Sequence, residues 1–277
     1  MGANDSIAVP QIDLIPFYQS EQALLYNDDC LEVLSRIPED AIDMIFADPP
    51  YMLSNNGFTC QNGRMVPVNK GKWDTSGGFA EDTAFHDAWI SACRRVLKPE
   101  GTIWISGTYH SIYQCGYLLQ KNDFHILNDI AWFKPNAAPN LSCRFFTASH
   151  ETLIWARKDK AAKHIFNYHT MKGGTFPEDK LKKEHTQMRS VWSIPAPSKH
   201  EKRQGRHPTQ KPLKLLSRIL AASTNHGSII LDPFNGSGTT AVASALAGDR
   251  FYIGIDIDKA FCELTKSRLQ ETEAPRK

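Results

Sequence analysis

Asp48, Pro49, Pro50 and Tyr51 stand where an apolar run (Ile42, Met44, Ile45, Phe46) stops. The run reads as a buried strand. Two successive prolines fix two φ angles and remove two backbone donors, so the chain leaves the sheet there. Pro49 also biases Asp48 towards an extended conformation. The product is a stiff corner carrying a carboxylate, carbonyls and an aromatic ring at a strand's carboxyl edge, where open α/β sheets bind ligands. Such a corner suits a planar group bearing an exocyclic amine. The Asp48 carboxylate and a proline carbonyl accept its hydrogens, and Tyr51 stacks on its ring. An aromatic amine is a poor nucleophile because its lone pair is delocalised. Acceptors that stabilise it as it turns tetrahedral therefore act chiefly in the transition state. Taken alone, Asp-Pro-Pro is more often a plain turn after a strand, so the weighting rests on the remainder of the chain.

A second set, Asp232-Pro-Phe-Asn-Gly-Ser-Gly-Thr-Thr240, follows the apolar Ile229-Ile-Leu231. It reads as a strand, a tight glycine turn and a helix start. Gly236 and Gly238 let the backbone approach a ligand closely. Ser237 to Thr240 place hydroxyls and N–H groups at a helix N-terminus, where a small ligand's carboxylate finds donors. The G-x-x-x-x-G-K spacing of a phosphate loop is absent, as is the full G-x-G-x-x-G run of dinucleotide sites. The next strand, Phe251 to Ile255, ends at Asp256, 24 residues after Asp232. An acidic residue in that place is suited to ribose hydroxyls. The glycine pattern alone is a generic Rossmann-like turn; Asp256 tips the reading towards a nucleoside-containing cofactor.

Strand patterns at 23–26, 42–46, 102–106, 124–133, 151–156, 228–231 and 251–255 must position these groups. They alternate with helical patterns at 30–37, 79–97, 109–120, 213–223, 237–247 and 259–269. Such alternation predicts an α/β fold with a doubly wound, mostly parallel sheet. Residues 1–22 read as an irregular arm, and 23–156 and 207–277 as the two halves of one domain. Lys98-Pro-Glu-Gly101 reads as a clear stop after a helix. Residues 52–78 are polar and glycine-rich, and read as a flexible flap over the strand edge or a plain disordered insertion. Residues 157–206 lack a sustained period and read as a partly irregular insertion.

From Arg157 to Lys211, 14 Lys or Arg face 5 Asp or Glu, a formal +9 in a chain whose net charge is +2. Such a segment offers a surface to a polyanion, or is a solvated lysine-rich insertion. The 6 cysteines form no C-x-x-C pair, which argues against a zinc site or a disulfide framework. No run approaches the roughly 18 apolar residues of a membrane span. The expectation is a soluble, cytoplasmic protein without a metal.

Taken together, Asp48-Pro-Pro-Tyr51, His207-Pro-Thr-Gln-Lys-Pro212 and Asp232-Pro-Phe-x-Gly-Ser-Gly-Thr239 resemble the signature motifs of AdoMet-dependent DNA amino methyltransferases. The catalytic motif precedes the cofactor motif, the circularly permuted order of that family's β class. Asn27-Asp-Asp-Cys-Leu31 and Glu151-Thr-Leu-Ile-Trp155 resemble further segments of the class, so the resemblance spans about residues 24–270. Joint occurrence in this order is far more specific than any one motif. It implies a Rossmann-like methyltransferase fold, S-adenosyl-L-methionine (AdoMet) as cofactor, and duplex or single-stranded DNA as partner. The closest likeness is to DpnA-like adenine-N6 enzymes of restriction–modification systems. Dimers are common in the class, so a homodimer is an assembly the resemblance leaves open.

Residue by residue, the resemblance assigns Asp48, Pro49 and Pro50 to the target amine and Tyr51 to its ring. Asp48 also lies near the methionine end of AdoMet. Gly236, Ser237, Gly238 and Thr239 surround the methionine portion, in a loop shared with Asp232 and Phe234. Lys211 meets its carboxylate, Asp256 the ribose, and Asp29, next to Cys30, the adenine amino group. Asn235 falls at a variable position and receives no role. The segment 157–206 sits where the class carries its target-recognition region. Arg189, Lys199, Lys202, Arg203 and Arg206 are its candidate DNA contacts, to phosphates and base edges. Tyr168, Phe176 and Trp192 read as core of that segment before base-stacking groups. The loop from Asn55 to Trp73 would close over a flipped base.

Methylation at cytosine carbon 5 would need a nucleophilic thiol, typically in a Pro-Cys pair, and no cysteine here follows a proline. Adenine is favoured because the motif opens on Asp48, where a serine more often marks cytosine enzymes. Cytosine-N4 methylation is the rival within the class. The rival from another class is a non-catalytic nucleic-acid-binding protein on a methyltransferase fold.

Overall fold

The computed structural model describes residues 7–52, 58–61, 64–67, 74–173, 176, 183, 186–205 and 207–274. Arg206, about half of the expected flap and part of the basic segment lie outside them. The strands are β1 (Tyr18–Gln19), β2 (Ala23–Tyr26), β3 (Ile42–Ala47), β4 (Phe58–Gln61), β5 (Arg64–Pro67), β6 (Leu97–Gly107), β7 (His125–Phe133), β8 (His150–Arg157), β9 (Val191–Ser193), β10 (Ile229–Asp232) and β11 (Phe251–Ile255). The helices are α1 (Cys30–Arg36), α2 (Phe79–Val96), α3 (Ile112–Lys121), α4 (Tyr168–Gly173), α5 (Leu213–Ser223), α6 (Thr239–Ala247) and α7 (Lys259–Glu273).

Nine strands form one sheet in the order β1-β2-β11-β10-β3-β6-β8-β7-β9. The block from β2 to β6 is parallel throughout. Its strands read as continuous apolar runs because both faces are covered. Along β3, Ile42, Ile45 and Ala47 join the core under α1, α2 and α3. Met44 and Phe46 point the other way, into the core shared with α5 and α6. The fold is the doubly wound α/β layer arrangement expected, with β8 running antiparallel to both β6 and β7.

Three departures from the sequence reading have local causes. Lys98-Pro-Glu-Gly101 does not separate helix from strand: α2 runs directly into β6, and these residues form an irregularity against β3 between the Ile42–Leu97 and Met44–Thr102 pairs. Lys98 is held there by Asp43 at 2.7 Å. The arm at 1–22 contributes a short edge strand, β1, antiparallel to β2. Ser20 Oγ beside it donates to Glu273 of α7 at 2.9 Å. The basic segment is joined to the main body: β9 pairs parallel with β7. Trp192 is buried in the main core, where its ring lies 4.1 Å from the Arg218 guanidinium. Asn167, just before α4, donates to the Ala221 and Thr224 carbonyls at 2.9 Å each. Within the expected flap, β4 and β5 form an antiparallel hairpin.

No helix among the described residues is long and apolar enough to cross a membrane.

Candidate active site

From β3 the chain passes outward through α2 to β6; from β10 it passes the opposite way through α6 to β11. The connections diverge between β10 and β3, and a crevice opens at such a switch point. Leu231 pairs with Ile45 across it. Asp232, which ends β10, and Asp48, which directly follows β3, therefore both stand at the carboxyl edge. Asp28 and Asp29 after β2 and Asp256 after β11 complete one cleft with the Asp48–Tyr51 corner, Lys211 and the glycine loop.

At the corner, two carboxylates, two lysines and the Tyr51 hydroxyl close a charge-balanced network. The Tyr51 hydroxyl donates to Asp48 Oδ1 at 2.6 Å, and Lys211 Nζ donates to Asp48 Oδ2. Lys211 also reaches Tyr51 Oη at 3.1 Å and Glu151 Oε2 at 3.6 Å. Glu151 accepts from Lys134 as well, and lies 3.2 Å from the Tyr51 hydroxyl. The side chains of Lys211, Asp48 and Glu151 are 5%, 14% and 12% exposed, so the charges answer one another with little help from water. Burial lifts Asp48 above the ordinary carboxylate range, with Glu151 adding to it and Lys211 opposing. Burial would lift Glu151 too, but Lys211 and Lys134 bring it down to about 2. Burial works against the charge on Lys211, and Asp48 and Glu151 outweigh it to raise its pKa.

The resemblance gives Lys211 a contact with the cofactor's carboxylate; in this structure its ammonium is committed to Asp48, Tyr51 and Glu151. The Tyr51 ring is buried and its backbone N–H donates to Asp74 at 2.9 Å, so the plane offered to a ligand is fixed beforehand.

The glycine loop is built from backbone conformations that a side chain resists. Gly236 and Gly238 have φ of 52° and 69°, and a Cβ on Gly238 would meet Thr265 Cγ2 at 2.5 Å. Asp232 accepts from Thr240 Oγ1 at 2.6 Å and from the Phe234 N–H at 3.1 Å. Asp256 accepts from the N–H groups of Gly236 at 2.6 Å and Asp258 at 2.9 Å. Asn235, left without a role by its sequence position, ties the loop to the fold: its amide donates to Thr265 at 2.8 Å and accepts from Tyr252 at 2.8 Å. Arg268 of α7 donates to the Ser237 carbonyl and to Thr239. Thr239 in turn donates to the Lys211 carbonyl at 3.1 Å, joining the loop to the His207–Pro212 segment. Asp29 caps α1 through the Leu31 N–H at 2.8 Å, and Cys30 behind it is buried.

Of the described residues lining the cleft, six are aspartates and one is a lysine. That excess of carboxylates fits AdoMet, whose sulfonium and amine outweigh its one carboxylate and whose ribose and adenine present further donors. Phe234 and Phe261 supply the apolar wall.

Burial pushes Asp232 up to about 7 and Asp256 up to about 6, against the hydrogen bonds each receives. Both bind a proton more tightly folded than unfolded. Their contribution to stability is therefore complete below about pH 4 and is lost as pH rises through 6 to 7. With Asp232→Asn the share of Asp232 disappears, so the wild type's melting temperature should fall relative to the variant's between about pH 5 and pH 8. Calorimetry at the two pH values measures this; a difference that does not change with pH removes the assignment.

The expected DNA contacts are dispersed. Arg189 and Lys199 are exposed, and Lys202 is half-buried. Arg203 is paired with Glu271 of α7 and contacts His200. The turn holding Lys202 and Arg203 also braces the site. Its Glu201 accepts from the Leu213 N–H at 2.8 Å, and its carbonyl accepts from Gln210 at 2.9 Å. Glu151 fell in the Glu151–Trp155 segment of the resemblance but received no role there, and Lys134 and Arg268 went unmarked by motif. Their only sequence signals are a charge at the end of an apolar strand and one inside a helix.

A family model described as DNA methylase matches residues 42–267. The chain is 48% identical over 258 residues to the Type II methyltransferase M2.MboI of Moraxella bovis, covering 92% of this chain and 91% of that one. It is 47% identical over 256 residues to the Type II methyltransferase M2.DpnII of Streptococcus pneumoniae, covering 92% of each. Among solved structures it is similar to the M1.HpyAVI–SAM complex, with a TM-score of 0.65 and 28% identity, covering 89% of this chain and 98% of that one. The PvuII cytosine-N4 DNA methyltransferase shares the fold at a TM-score of 0.69 and 17% identity, covering 93% and 90%.

Proposed function

Because this chain belongs to the DNA methylase family and is an AdoMet-dependent DNA methyltransferase, we propose that it methylates the exocyclic N6 of an adenine swung out of DNA, as the modification arm of a Type II restriction–modification system. The observation that carries the adenine reading is the Asp48 corner: an anionic acceptor, held by Tyr51 and Lys211, with the Pro49 carbonyl beside it.

AdoMet supplies an electrophilic methyl on a sulfonium. Asp48 and the Pro49 carbonyl accept the two amine hydrogens, which turns the nitrogen lone pair out of the ring plane towards the donor. The Tyr51 plane holds the ring in register. With AdoMet bound, attack by N6 on the methyl carbon would leave the electron pair of the broken carbon–sulfur bond on sulfur. N6 then carries one proton too many, and Asp48 is placed to take it. Asp256 and Asp29 hold the nucleoside end, and the loop at 236–239 the methionine end. No covalent bond to the protein is needed.

Purified protein, labelled AdoMet and mixed genomic DNA, followed by mass spectrometry of the digested nucleosides, test this reading. N6-methyladenine is the expected product. N4-methylcytosine would move the reading to the other branch of the family, and no labelled nucleoside would overturn it.

A further inference from the structure

The segment between β7 and β8 leaves the sheet at the active-site edge and carries a concentrated apolar display. Phe146 is 98% exposed, Phe145 66% and Leu141 36%, with exposed Arg144 among them. A pair of aromatic rings held out into water costs solubility and contributes nothing to the core, so their position calls for a ligand.

The tip is built rigidly. The Asn140 amide donates to the Phe145 carbonyl at 2.7 Å, and its Oδ1 accepts from the Ser142 N–H and hydroxyl at 3.0 and 2.8 Å. The Asn140 N–H donates to Thr147 Oγ1 at 3.2 Å. Cys143 takes a φ of 55° to close the turn. At the base, the Lys134 N–H donates to the Ser149 carbonyl at 2.7 Å. There too Lys134 pairs with Glu151, the same carboxylate that reaches Tyr51 and Lys211. Asn136 accepts from the Ala196 N–H at 3.1 Å, joining the loop to the basic segment. The loop that carries the aromatic tip is therefore rooted beside the Glu151 end of the active-site network.

We infer that the Leu141–Phe146 tip is a duplex-opening wedge: Phe145 and Phe146 enter the base stack at the place vacated by the target base, and Arg144 holds a neighbouring phosphate. Removing one base from a duplex leaves two exposed neighbours, and an inserted apolar side chain replaces the lost stacking. A basic residue next to the rings draws the tip to the phosphate backbone. The inference rests on the reading of this chain as a base-flipping methyltransferase.

The test uses the full chain with Phe145→Ala and Phe146→Ala combined, and a second variant with Phe145→Trp and Phe146→Trp. The rings touch no core, so both variants should fold with unchanged AdoMet affinity. On native genomic DNA the double alanine variant should lose about 30-fold in kcat/KM, about 2 kcal/mol at 1.36 kcal/mol per tenfold. The tryptophan variant should keep activity within about threefold, because any large aromatic stacks on a base. On heat-denatured DNA, where there is little stack to open, the alanine deficit should shrink. Equal activity of wild type and alanine variant, an equal deficit on denatured DNA, or loss of a wild-type dimer in sedimentation would overturn the wedge. A wild type that transfers no methyl to DNA would instead sink the methyltransferase reading on which it rests.

Discussion

Asp48→Ala is expected to lower kcat for methyl transfer by about 10³-fold or more, while DNA affinity changes by less than about threefold. In the proposed reaction Asp48 accepts the amine hydrogen as the nitrogen changes geometry and takes the released proton, held in place by Tyr51 and Lys211. Both roles arise after binding, so the loss should appear in kcat and not in KM for DNA. The fold should survive, because Lys211 keeps Glu151 at 3.6 Å and the Tyr51 hydroxyl at 3.1 Å. Single-turnover transfer and filter binding on the same preparation separate the effects. Equal losses of binding and chemistry would mean that Asp48 only holds the base.

Lys211→Met should have the largest effect on stability, about 3–5 kcal/mol, with a fall in melting temperature of the order of 10 °C. Lys211 is the cation that Asp48 and Glu151 share. Removing it leaves Lys134 alone to balance two shielded carboxylates, and Lys134 touches only Glu151 of the pair. Adding Asp48→Asn to Lys211→Met should recover part of the deficit, since it removes the carboxylate left without a cation. The double-mutant cycle should therefore be strongly non-additive. Additive losses in denaturant melts would show that the Lys211–Asp48 ion pair carries no stability.

These two residues also show how unequally the site was legible. Asp48 was marked by its neighbours in the chain. A strand pattern ending on two prolines is a local event, and its stereochemistry forces a corner whatever the rest of the protein does. The glycine loop was legible for the same reason, since the positive φ values at Gly236 and Gly238 belong to a turn of a few residues. Asp232 and Asp256 were placed correctly at strand ends, but their detailed work was not apparent. Each spends hydrogen-bonding capacity on holding the glycine loop. Lys211 was assigned a cofactor contact by resemblance; folding also sets its ammonium against Asp48, Tyr51 and Glu151.

The basic segment was legible as charge and not as structure. A formal +9 between Arg157 and Lys211 states nothing about where each charge goes. Folding sends Lys211 into the site, Arg203 onto α7 through Glu271, and Arg189 and Lys199 to the surface. Trp192, weighed as core of a separate insertion, belongs to the core of the main sheet instead.

The sequence by itself determined most of the elements, the Asp48–Tyr51 corner, the glycine turn and the place of Asp256 after its strand, because proline, glycine and apolar periodicity act over one to a few residues. Only the tertiary structure decided what stands around Asp48. Because β8 runs antiparallel between β6 and β7, its first residues lie at the edge where the parallel strands end. That brings Glu151 beside Tyr51 and Lys211, residues 100 and 60 positions away, and brings the end of β7 with Lys134 to the same place. Electrostatic balance in a shielded site depends on distance through space, and strand direction sets that distance here.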